Sequence, residues 1–156
     1  LGPVDGGVRT MSASLELEHG GGFSKSQRAM LRNAEELCRQ IQHTGRPLIE
    51  ETNAQVRLAR SAANLMVSDM LTFRAQWAIA EKKPNFAYGP MAKMFSSEKF
   101  QSDARDLLDL TAPWSLADRA GPAGALNMAY RHSQATTIYG GTTEIMKEII
   151  GRSLGL

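Results

Sequence analysis

The chain has 156 residues, 42% hydrophobic and 22% charged, with a formal net charge of +2; that is enough for one domain with a real core and too balanced for a general nucleic-acid binder, whose basic surface dominates its composition. A single cysteine, Cys38, excludes an internal disulfide framework and a cysteine-rich zinc site. No apolar run approaches the roughly 18 residues of a membrane span, and the opening LGPVDGG carries neither an initiator methionine nor a signal-peptide pattern, so the expectation is a cytoplasmic fragment of a longer protein.

The first segment runs from about Gly7 to Gln42. Val8, Met11 and Leu15 are spaced 3 and 4, and Met30, Ala34, Leu37 and Ile41 are spaced 4, 3 and 4. Both spacings follow the helix period. Within this segment, LELEHGGGF at 15–23 places Gly20, Gly21 and Gly22 in a helical pattern, at about 1 kcal/mol each relative to alanine. Either the helix breaks there or something lies tight against it. Glu16 and Glu18 stand just before, and Glu18 leans toward the apolar face because it is three residues after Leu15. It reads either as a solvated surface glutamate or as a desolvated carboxylate with a raised pKa, suited to general-base work near neutrality. Cys38 falls on the apolar face and reads as a small core residue. HTGRPL at 43–48 stops the segment with Gly45 and Pro47.

The second segment carries a continuous apolar stripe of Ala59, Ala62, Ala63, Met66, Met70, Phe73, Trp77 and Ala80. Arg57, Arg60, Ser61, Ser68, Gln76 and Glu81 lie on the other face, so the stripe is the expected core side. KKPN at 82–85 ends it. The third segment, GPMAKMFSSEKFQSDARDLLDL, has Pro90 near its start and Met91, Phe95, Ala104, Leu107 and Leu108 as expected inward residues. TAPWSLADRAGPAG at 111–124 reads as a connection, and a shorter helix is expected over Ala125 to Gln134. The eight methionines and two tryptophans sit mainly on helix stripes and read as core. His19, His43 and His132 have no metal-ligand spacing, so no metal site is expected. No alternating strand pattern appears. The fold expected is all-α: an antiparallel four-helix bundle with an additional short C-terminal helix.

That last helix starts near Thr142, where Thr142 or Thr143 can cap it and Glu144 occupies the acid-favouring first turn. The stretch before it, IYGGT, places Gly140 and Gly141 directly against the helix start. Glycine tolerates positive φ and admits another group close to the backbone. The pair is either a tight turn between helices or a place where an anion or a carbonyl oxygen meets exposed N–H groups.

The stretch YRHSQATTIYGGTTEIMKEIIGRSLGL, residues 130–156, closely resembles the C-terminal signature of acyl-CoA dehydrogenases: an aromatic residue, glutamate or glycine, glycine-threonine, any residue, glutamate or glutamine, isoleucine, and a basic helix ending in arginine. GGVRTMSASLELEHGGG at 6–22, RPLIEETNAQVRLA at 46–59 and MAKMFSSEKFQSDARDLLDL at 91–110 resemble earlier parts of the same bundle in the right order.

The resemblance implies the C-terminal bundle, residues 1–156, of an FAD-dependent enzyme whose N-terminal helical and middle β domains are not in this chain. It implies an acyl-CoA substrate, α,β-desaturation to a 2-enoyl-CoA, an electron-transfer flavoprotein as electron acceptor, and a homo- or heterotetramer. In one branch the base is the glutamate after the signature's aromatic residue, but here that position is Gly140. In the branch resembling isovaleryl-CoA and long-chain enzymes, glycine stands there and the base is a glutamate on the first bundle helix. Glu18 matches that place, followed by His19 where the family usually has arginine. Gly140, Gly141, Thr142 and Glu144 match FAD-contacting positions, and Tyr139 and Gly140 match positions beside the acyl thioester. Two regions depart from the pattern. QIQHTGRPLI at 40–49 lacks the family's arginine-x-x-phenylalanine-glycine segment, and LTAPWSLADRAG at 110–121 lacks its glutamine and glycine-rich turn. These departures suit an alternative, a non-catalytic assembly subunit of a heterotetrameric enzyme.

Overall fold

The computed structural model describes residues 4–7, 11, 22–83, 85–116 and 120–156. Its elements are helix α1 (Ser24–Gln40), a hairpin of two-residue strands β1 (Gln42–His43) and β2 (Arg46–Pro47), then α2 (Thr52–Ala80), α3 (Tyr88–Leu110), α4 (Pro122–Thr136) and α5 (Thr143–Ser153). Among the described residues, four long helices and one short C-terminal helix make the bundle, as the periodicity predicts. Gly20, Gly21, Glu16, Glu18, His19, Val8 and Leu15 lie outside the described residues.

Each boundary has a local cause. In α1 the buried residues Gln27, Met30, Leu31, Ala34, Leu37 and Cys38 recur every three or four positions along one face. After Ile41 the chain turns through Thr44 and Gly45, both at positive φ (52° and 84°). That is the backbone of a two-residue hairpin turn, and it pairs Gln42 with Pro47 and His43 with Arg46. The hairpin explains why HTGRPL ends the helix. Helix α2 ends where Lys82 takes φ 53° and the Lys83 N–H reaches back to the Ala78 carbonyl at 2.9 Å. Pro90 sits in the first turn of α3 and Pro122 opens α4, both where a missing N–H is tolerated.

Helix α2 packs on α1 and α3, α3 on α4 and α5, and α4 on α1. The core holds Met30, Leu37, Leu58, Leu65, Phe100, Leu107 and Leu126. Cys38 is fully buried there, and burial pushes its thiol up to about 11. Met91 and Phe95 are half-buried, whereas Ala104, Leu107 and Leu108 are buried. No helix among the described residues is long and apolar enough to cross a membrane.

The expected inward face of α2 is the reverse of what is found. Its buried residues are Ala54, Leu58, Ser61, Leu65, Ser68, Thr72, Ala75 and Ala78. Met66, Met70, Phe73 and Trp77 are exposed, Met70 and Phe73 at 70% each. Both faces obey the helix period. The buried one is built mainly of small residues, and half-buried polar side chains beside it reach α3. Asp103 of α3 is buried opposite Asn64, whose amide donates to both carboxylate oxygens at 2.9 and 3.2 Å. One turn further, Arg57 clamps α3 through the Asp106 carboxylate at 3.0 Å, the Asp106 carbonyl at 2.5 Å and the Asp109 carboxylate at 3.0 Å. Met128 and Trp114 are also exposed, so methionine and tryptophan are poorer markers of this core than the stripes predict.

Candidate functional site

The site grows from the junction of α4 and α5. Helix α4 closes with the Tyr139 N–H donating to the Ala135 carbonyl at 3.1 Å. The chain then reverses through Gly140 (φ 66°) and Gly141 (φ 95°), two consecutive left-handed residues that side chains rarely adopt. The Thr143 N–H donates to the Thr137 carbonyl at 3.3 Å and fastens the turn. Thr142 is the N-cap, with its hydroxyl accepting from the Ile145 N–H at 3.4 Å. Buried Thr143 and Met146 seat α5 on the bundle.

These hydrogen bonds favour the turn reading of the glycine pair: the amides of Thr143 and Ile145 already have protein acceptors. The turn's distinctive property is the bare backbone. Among the described residues, a Cβ built on Gly140 would meet only the Lys93 Cε, at 4.0 Å. Little among them therefore crowds the Gly140 side of the turn, and a flat aromatic ring system such as a flavin can lie against such backbone at van der Waals distance. The turn fits that group.

One carboxyl and one phenol flank the turn. Glu144 is fully exposed, and its own backbone N–H and then the Thr142 hydroxyl hold its carboxyl below the ordinary range. Desolvation pushes the Tyr139 phenol upward. The Tyr139 ring is fixed on two sides, edge-on to Phe23 with centroids 5.7 Å apart and stacked on His132 at 6.1 Å. Its hydroxyl lies 2.9 Å from His132 Nε2. Phe100 completes the group against Phe23 and His132. His132 is thus engaged with Tyr139, and His43 pairs with Glu51. Among the described residues no group of three could hold a metal ion.

Tyr139, Gly140, Gly141, Thr142 and Glu144 are therefore brought together, while Glu18 lies outside the described residues. Two participants escaped sequence reasoning. Lys93 of α3 is 4% exposed, and its ammonium donates to the Gly141 carbonyl. Its signal was present in the register: Lys93, Ser96, Ser97, Phe100, Ala104 and Leu107 share one buried face. Phe23 is the other. Its N–H donates to the Ser96 hydroxyl at 3.0 Å, and the preceding Gly22 (φ 45°) passes so close that a Cβ there would lie 2.5 Å from the Thr72 hydroxyl oxygen. At Gly22 the glycine-rich stretch passes tight against a neighbour.

Comparison with known proteins gives a consistent picture. The family model "Acyl-CoA dehydrogenase, C-terminal domain" matches residues 6–155. A curated relative, benzylmalonyl-CoA dehydrogenase of Aromatoleum aromaticum, is 26% identical over 153 residues, which is 98% of this chain and 40% of the relative. A crystal structure of an FAD-dependent dehydrogenase superposes with a TM-score of 0.90 at 21% identity, over 100% of this chain and 42% of the other. A chain of the ChsE4–ChsE5 complex from Mycobacterium tuberculosis superposes with a TM-score of 0.74 at 25% identity, over 85% of this chain and 36% of the other.

Proposed function

The chain belongs to the acyl-CoA dehydrogenase C-terminal domain family, and from that premise we propose that it is the helical bundle of a longer cytoplasmic enzyme that desaturates an acyl-CoA thioester to the 2-enoyl-CoA. FAD is the cofactor of this family's enzymes; when bound, it supplies two-electron, hydride-accepting chemistry. The bare backbone of Gly140 and Gly141, with Thr142 and Glu144, forms one wall of its site. Tyr139 and Gly140 lie beside the thioester.

The base is the informative part. Within the turn, Gly140 cannot take a proton, Glu144 is exposed with a lowered pKa, and the Tyr139 phenol is raised. A carboxylate from elsewhere must remove the proton from the carbon next to the thioester carbonyl. Glu18 fills that role. The observation that carries this is the packing of Phe23 on Tyr139. Glu18 is five residues before Phe23 in the sequence. The proton passes to the Glu18 carboxylate, and the C–H electron pair becomes the new double bond. The neighbouring carbon would give up a hydride to bound FAD, and its two electrons would leave through an electron-transfer flavoprotein. Glu18 as base together with glycine at position 140 supports membership of the isovaleryl-CoA and long-chain branch.

The exposed stripe of Met66, Met70, Phe73 and Trp77 supports assembly into a tetramer. The likeness to a chain of a two-component complex, together with the departures at 40–49 and 110–121, favours a second reading, a non-catalytic subunit of a heterotetramer. Spectroscopy of the full-length protein separates the readings. A yellow homotetramer whose flavin absorbance is bleached anaerobically by an acyl-CoA supports the enzyme. Co-purification with a second, related chain that alone carries activity supports the assembly subunit. A folded full-length protein without flavin alone or in complex overturns both.

A further inference from the structure

Lys93 is a charged side chain in a position that sequence logic reserves for an apolar one. It sits one helical repeat from Phe100 on the core face of α3 and is 4% exposed. Burying an ammonium is unfavourable unless its donors are used. Here the ammonium donates to the Gly141 carbonyl, and the Cε lies beneath Gly140, 4.0 Å from where a Cβ would be. Glu144 is the carboxylate whose field favours the charged form.

The contact is made to the part of the turn least able to hold itself. Two consecutive glycines at positive φ have no side chain to restrict them, and each can leave the left-handed region at little cost. Resting on the flavin site argued under Proposed function, we infer that Lys93 is a positioning residue: through the Gly141 carbonyl it fixes the Gly140–Gly141 turn as a preformed flavin wall, and it places a buried positive charge under the bound ring system. Such a charge favours the flavin form that has gained electrons, because reduction adds negative charge to the ring.

The test uses full-length protein carrying Lys93→Met, which keeps length and apolar stem but removes the charge and the donor, with Lys93→Arg as the charge-retaining control. Hydrogen exchange of the apo-protein is read over residues 137–146. Loss of one charge-assisted bond predicts exchange there about tenfold faster in the Met variant, with protection elsewhere in the bundle unchanged. In the holoprotein, FAD binding weakens by about tenfold and the flavin potential falls, and Lys93→Arg recovers the potential. Where the Met variant does not fold, Lys93→Leu, which also lacks charge and donor, is read in the same way. Unchanged exchange over 137–146, or unchanged FAD affinity and potential, overturns the inference. A wild-type full-length protein that binds no flavin defeats the functional reading instead, and the exchange measurement still decides whether Lys93 holds the turn.

Discussion

Asp103→Asn tests the energetics of the bundle where the structure is most explicit. Asp103 is 6% exposed, and burial raises its carboxyl from 3.8 to about 6. Hydrogen bonds from Asn64 and Ser61 and the charge of Lys99 oppose the rise, while Asp106 adds to it. Between these two values the folded protein holds more of the proton than the unfolded chain. Stability therefore falls as pH rises through that window, and the full penalty applies above about 6. A shift of about two units corresponds to ~3 kcal/mol, at ~1.4 kcal/mol per unit. Asparagine keeps the shape and one acceptor for the Asn64 amide but carries no charge. The variant and wild type should match at about pH 4, and the variant should be more stable by up to ~3 kcal/mol at about pH 7.5, or roughly 6–12 °C in Tm for a domain of this size. Guanidinium unfolding across this pH range measures the difference directly. A difference that does not change with pH, or a less stable variant at about pH 7.5, would refute the assignment of Asp103 as a strained buried carboxylate.

Gly22→Ala should destabilise by ~1–3 kcal/mol, since alanine is strained at φ 45° and its Cβ would press on the Thr72 hydroxyl; thermal denaturation checks it. Cys38, fully buried with its thiol pushed up to about 11, should resist iodoacetamide in the native state and react only as the protein opens. Mass spectrometry along a denaturant series should show labelling that tracks the unfolding curve rather than preceding it.

Helix positions and junction chemistry were legible because both are local. The expected Ala125–Gln134 helix extends to Pro122–Thr136, and Thr142 caps the last helix. Orientation was not legible. Helix α2 has two periodic faces, and hydrophobicity selected Met66, Met70, Phe73 and Trp77 over the small residues that pack inward. Which face wins depends on how closely neighbours approach and on partners 39 to 52 residues away, such as Asp103 for Asn64 and Asp109 for Arg57. Spacing within one helix carries none of that. The same limit hid Lys93 and Phe23 as site residues, since each meets the turn from an element distant in sequence. The glycines of 140 and 141 were visible as a turn, but the hydrogen bonds that close it came from the fold.

Anaerobic addition of an acyl-CoA substrate to full-length protein, wild type and Glu18→Gln, tests the central claim most directly. The account predicts that flavin absorbance bleaches in the wild type, while Glu18→Gln stays yellow with FAD bound and bleaches roughly a hundred- to ten-thousandfold more slowly, the range expected for loss of a general base. Bleaching of Glu18→Gln at the wild-type rate would contradict it.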